Sequence, residues 1–334
     1  MSRPDDLTVT RHRDLVRELS RPGGPLAADG PNATVNNPAW FRTPNQPRGA
    51  RGELHDRLVD AHRERFAGVL ADKQAIVLAG PPGAGKSTVQ RAILGERSGE
   101  WLVVDADEFK HALLRTALED GSYRDFLVPD RVRELEAAGE RFAPLELASL
   151  VHEESSLLAR QLRAEAIADG LNIVVDTVLS SERAALSLAA DLEAAGYRVR
   201  VVDVETTYEI SAARVEQRWR NVTREFLADE RATGLGGRWV PSEYTRALFP
   251  PELAGKSVCE GVARALAEQC PAVGRLEVYR VADPTQAPQL ESALARGSNG
   301  ALVDVAAAHA ARLADRGRGR RGSGAAPGRP EMER

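Results

Sequence analysis

Cysteine is nearly absent from this chain of 334 residues: Cys259 and Cys270 are the only two. A disulfide framework is therefore not the basis of the fold, and a reducing, cytoplasmic setting is expected. No apolar run approaches the ~20 residues that cross a bilayer, and no apolar signal segment opens the chain. The six histidines show no metal-like pairing with the cysteines, which argues against a zinc site. Charge of one sign is also lacking. A net charge of −4 gives no global attraction to nucleic acid. No internal repeat is visible.

What remains is a globular profile, 43% hydrophobic and 28% charged, with one clear motif. Residues Gly80, Pro81, Pro82, Gly83, Ala84, Gly85, Lys86, Ser87 and Thr88 form a complete G-x-x-x-x-G-K-[ST] phosphate loop. Its glycines allow tight turns that aim N–H groups at an anion. Lys86 reaches the β- and γ-phosphates of ATP, and the Ser87 hydroxyl ligates Mg²⁺. The context fits. Gln74 to Ala79 reads as a buried parallel strand, and Ser87 to Leu94 has helical spacing, with Val89 and Ile93 four apart.

Further strands are expected over 101–104, 173–175, 199–204 and 276–281. Helical patterns over 108–118, 144–169, 182–195, 210–232 and 251–269 separate them. This alternation predicts an α/β fold of the P-loop NTPase type, a mostly parallel sheet with helices on both faces. Seven of the 19 prolines fall in residues 1–50, which read as a flexible arm, with a short amphipathic helix near 11–19. Residues 51–283 form the expected phosphate-loop domain and 284–313 a helical segment. Residues 314–334 read as a disordered basic tail, which lacks the aromatic residues that stack on bases.

Chemistry gathers beyond the carboxyl ends of the strands, where doubly wound sheets bind ligands. The strand over 101–104 runs into Asp105-Ala-Asp-Glu-Phe-Lys110. Asp107 there either orients an acceptor hydroxyl and takes its proton, or caps the following helix. The strand over 173–175 ends at Asp176, a Walker-B-like acid that would hold Mg²⁺ directly or through water. Glu154 is flanked by Leu150, Val151, Leu157 and Leu158 at helical spacing, so it lies on an apolar face. A carboxylate there needs a partner or a task, unless the helix turns it to solvent. Arg214 and Arg218 are four apart, and neither has an acid three or four positions away. Arg218 and the loop residue Arg238 suit the charge on a transferring phosphoryl group; a solvated charged helix is the plain alternative.

The order of these segments resembles the zeta-toxin family of P-loop kinases over roughly residues 50 to 282. The resemblance rests on the loop Gly80–Thr88, on Asp105-Ala-Asp-Glu-Phe-Lys110, on Ile173-Val-Val-Asp-Thr177, on Arg218 and on Gly237-Arg-Trp-Val-Pro241. It implies transfer of a phosphoryl group from ATP, with Mg²⁺, to the 3′-hydroxyl of the aminosugar of UDP-N-acetylglucosamine. It also implies a separate small helical antitoxin that blocks the nucleotide site. Lys86 would hold phosphates, Asp107 would be the general base, and Arg218 and Arg238 would cover the transferring group. A family glutamate that contacts substrate falls on Glu154 by the burial argument, with Glu153 at the edge of the same face. The chain has Asp176-Thr177 where Glu-Gly-Thr is usual. A phosphotransferase of another small molecule, such as an antibiotic, and a nucleotide-binding regulatory module with little turnover are the rival readings.

Overall fold

The computed structural model describes residues 6–229 and 233–306. Helix α1 (Asp6–Leu19) is followed by a small hairpin of β1 (Phe41–Thr43) and β2 (Gln46–Pro47), then by α2 (Gly49–Glu64). The core alternates as expected: β3 (Gln74–Ala79), α3 (Lys86–Leu94), β4 (Leu102–Asp105), α4 (Ala106–Asp120), α5 (Asp130–Ala137), α6 (His152–Ala168), β5 (Ile173–Asp176), α7 (Glu182–Ala194) and β6 (Arg198–Thr206). Then come α8 (Tyr208–Ala228), α9 (Ser242–Ala247), α10 (Val258–Gln269), β7 (Val273–Val281), β8 (Gln289–Arg296) and β9 (Leu302–Asp304). The central sheet has 7 strands in the order β4-β5-β3-β6-β7-β8-β9. Strands β3 to β7 pair in parallel, and β8 and β9 run antiparallel.

Strand β3 is central, and Ala75 to Ala79 are all buried, which is why it reads as one continuous apolar run. Its odd-numbered residues join the larger core under α4, α6, α7 and α10. Ile76 and Leu78 face the smaller core on the other side, with Val89, Leu94 and Trp101 from α3 and its exit.

Two expectations need correction. Residues 6–47 are not an extended arm. Val9, His12, Val16 and Leu19 are buried on one face of α1, at helical spacing. His12 lies 3.0 Å from Glu146, and Arg13 Nη1 donates to Glu216 Oε1 at 3.0 Å. The glycines and asparagines beyond α1 close successive turns and do not leave the chain free: Gly24, Ala27, Gly30 and Ala33 each donate an N–H three residues back. Residues 289–296 and 302–304 are likewise strands, not helix. Ala and Leu give this segment a helical look, but the open edge of β7 accepts β8, and Gly297 turns the chain back by donating to the Ala301 carbonyl at 2.8 Å. Two helical boundaries also shift. Residues Pro144–Val151 form a 3₁₀ helix before α6, and residues Pro251–Leu253 form a separate 3₁₀ turn before α10. Residues 314–334, expected to be a tail, lie outside the described residues.

Candidate functional site

The phosphate loop links the carboxyl end of β3 to the start of α3. Gly80 has φ +126°, and a Cβ on it would sit 2.1 Å from the Val204 carbonyl oxygen. No other residue fits that close approach to β6. Helix α8 supports the loop from one side: Ser211 Oγ donates to the Pro82 carbonyl at 2.7 Å. Arg214 donates to the Gly83 carbonyl at 3.3 Å and, through Nη2, to the Pro284 and Gln286 carbonyls at 2.8 Å. Arg214 is therefore not a partner-free cation awaiting an anion. It ties the phosphate loop to the segment after β7. Ser87 and Thr88 stand exposed at the first turn of α3.

Three carboxylates converge on this loop. Asp105 and Asp176 end neighbouring strands and are register partners. Asp176 Oδ1 lies 3.9 Å from Lys86 Nζ, which also donates to the Gly80 carbonyl at 2.9 Å. Burial raises Asp176 above the ordinary carboxylate range against the pull of Lys86. Burial likewise pushes Asp105 up to about 7, and Asp107 and Asp176 beside it add to the push. Asp105 is the residue that caps α4: its Oδ1 accepts the Asp107 N–H at 2.8 Å. Capping therefore does not occupy the side chain of Asp107.

Asp107 is instead gripped by cations. Lys110, one turn along α4, donates to Oδ1 at 2.9 Å, and Arg238 pairs with Oδ2. Burial disfavours its charge, but Lys110 and Arg238 outweigh burial and hold it down at about 2. Arg218 lies close enough for burial and the charge of Arg238 to depress it. Its side chain makes no hydrogen bond or ion pair among the described residues. Asp107, Asp176, Lys86, Arg218 and Arg238 thus form one electrostatic cluster.

Glu154 does not join it. The side chain is buried, as its apolar neighbours predicted, but Arg51 grips both oxygens at 2.6 and 2.8 Å. His55 Nε2 lies 2.7 Å from Oε1. The carboxylate has its partners on α2, so the burial of Glu154 is answered by an ion pair within the fold. Glu153, half exposed beside His152, is the acid on that turn that faces outward. Two further groups lie beside the cluster. Lys110 was legible as a cation three residues after Asp107. His152, which as a lone histidine on this helix reads as structural, reaches the cluster from another helix, where burial and the charges of Lys110 and Arg238 lower its pKa.

A phosphate loop between a central parallel strand and a helix, with acids at the carboxyl ends of the next strands, defines a P-loop α/β protein. The chain belongs to the zeta toxin family, whose model matches residues 62–279. No curated protein matches it. Among solved structures, the AvrRxo1-ORF1:AvrRxo1-ORF2 complex with sulphate ions is 18% identical at a TM-score of 0.49, over 87% of this chain and 78% of that one. The same pair with ATP is 19% identical at 0.48, over 81% and 73%. A structure of the PezAT chromosomal toxin-antitoxin system of Streptococcus pneumoniae is 16% identical at 0.46, over 77% and 82%.

Proposed function

We propose that the chain is an ATP-dependent kinase of a small molecule and that its acceptor is the 3′-hydroxyl of the aminosugar of UDP-N-acetylglucosamine. The observation that carries the kinase reading is Asp107: an ionised, uncapped carboxylate beside a complete phosphate loop, flanked by Arg238 and Arg218. Phosphoryl transfer needs an acceptor oriented in line and positive charge over the transferring group, and little else from the protein. In this reading Lys86 leaves the Gly80 carbonyl for the β- and γ-phosphates. Arg238 exchanges Asp107 for the transferring group, and Asp107 then accepts the proton of the sugar hydroxyl. Ser87 and Asp176 supply hydroxyl and carboxylate oxygens, the hard donors that Mg²⁺ prefers. A bound Mg²⁺ would neutralise phosphate charge there and relieve the buried acids. The choice of sugar rests on family membership alone, as does a small helical antitoxin as partner.

The test is incubation with ATP, Mg²⁺ and a panel of UDP-sugars, free sugars, nucleosides and aminoglycosides, read by mass for the gain of one phosphoryl group. UDP-N-acetylglucosamine should gain it. Phosphorylation of another panel member alone would discard the substrate and keep the kinase. Nucleotide binding without any transfer would leave a regulatory module.

A further inference from the structure

A cavity of ≈ 270 Å³ opens at the opposite end of the sheet from the phosphate loop. It lies at the amino-terminal ends of β3, β6 and β7, one six-residue strand or roughly 16 Å from the loop. Ile76, Ile93, Leu94 and Trp101 give it an apolar floor. Arg97, Arg198, Arg200 and Arg275 line it as well. Arg198 and Arg200 share a face of β6, and Arg200 stands directly opposite Arg275 in register. Like charges so placed repel one another.

One carboxylate answers part of this charge. Glu277, whose side chain is 2% exposed, pairs with Arg200 and with Arg275 Nε at 2.6 Å. Arg97 and Arg198 have no ion pair or side-chain hydrogen bond among the described residues. The indole N–H of Trp101, a residue only 6% exposed, is buried without an acceptor. Two free guanidinium forks over an apolar floor match a dianion carried on an apolar body, because the planar fork fits phosphate geometry. The volume lies just below the ~300 Å³ at which pockets for drug-sized ligands begin, which suits a compact ligand.

We propose that this cavity is a second anion site, which takes a compact phosphate monoester with an aromatic or apolar body. The site is independent of the kinase reading. Phenyl phosphate is the probe, titrated into the full chain by calorimetry, with inorganic phosphate and phenol as controls for charge and body. Phenyl phosphate should bind more tightly than either control. The double variant Arg97→Ser with Arg198→Ser should weaken it at least about tenfold, the worth of one lost charge-assisted hydrogen bond. Lys86→Ala should leave it unchanged. Both arginines are exposed and unpaired, so the double variant should melt no lower than the parent, and Arg198→Gln alone should give an intermediate loss. Unaltered binding in the double variant, loss of binding in Lys86→Ala, phenol binding as well as its phosphate, or no binding at all would each overturn the site.

Discussion

Asp107 and Glu154 are both charged and both gripped by cations, yet they differ in what a substitution should do. Asp107→Asn removes the proposed proton acceptor, a side chain that solvent reaches beside the phosphate loop. It should keep ATP binding and lower transfer by a factor on the order of 10²–10⁴, read by single-turnover kinetics. Unchanged transfer would remove Asp107 from the chemistry. Glu154→Gln leaves Arg51 and His55 buried without their counter-charge, which should cost about 3–5 kcal/mol of stability. Calorimetry should show a lower Tm, while the KM for acceptor stays put. A normal Tm with altered KM would return Glu154 to the site. The difference between the two shows what sequence makes legible. Gly80 to Thr88 and Asp107 act through near neighbours in the chain, so pattern alone exposes them. The burial of Glu154 was equally local, but its answering charge sits on α2, separated by 103 residues from Glu154.

At the scale of elements, α1 is tied through tryptophans to the charged cluster at the phosphate loop. Trp239, next to Arg238, donates its indole N–H to Ser20 Oγ at 2.8 Å and meets Trp219 edge-on at 5.1 Å. Trp219 donates to Glu146 Oε1 at 2.9 Å, and His12 sits against the same carboxylate. The N-terminal helix therefore seats the loop that carries Arg238. Deleting residues 1–20 should lower Tm and slow transfer while ATP affinity holds. Full transfer in the truncated chain would make α1 dispensable. No local pattern could have revealed this, because α1 alone is a short amphipathic helix and its sockets lie far along the chain. The antiparallel end of the sheet was hidden for a related reason: β8 takes its form from the edge of β7, against the helical preference of its own residues.

Across the whole molecule, charge is buried where it is least comfortable. Asp203 and Glu205 share one face of β6 beneath α10. Neither Asp203 oxygen has a hydrogen-bond partner, and only Glu205 Oε1 is met, by Ser257 Oγ at 2.8 Å. Burial pushes Asp203 up to about 7 and Glu205 up to about 9; the charge of Asp203 adds to the rise of Glu205, and that of Glu260 adds to both. The native state therefore binds more protons than the unfolded chain, so stability falls as pH rises. The contribution is fullest below the ordinary carboxylate value of about 4 and is lost through the raised native values. Tm should fall between about pH 5 and about pH 9, and Glu205→Gln should flatten the fall; a parallel curve in the variant would contradict this. The docking of α1 reaches further still, into how the molecule is made. This helix leaves the ribosome well before its sockets: Glu146, Glu216 and Trp239 follow their partners on it and just after it by 134, 203 and 219 residues. Until Trp239 emerges, the seat of α1 is incomplete: Glu146 and Glu216 are already made, but the tie from Ser20 to the loop of Arg238 is not. Protease applied to arrested chains should cut within residues 6–19 up to that length and not beyond; early protection would contradict the order. A ribosome that stalls before Trp239 leaves no working fragment behind.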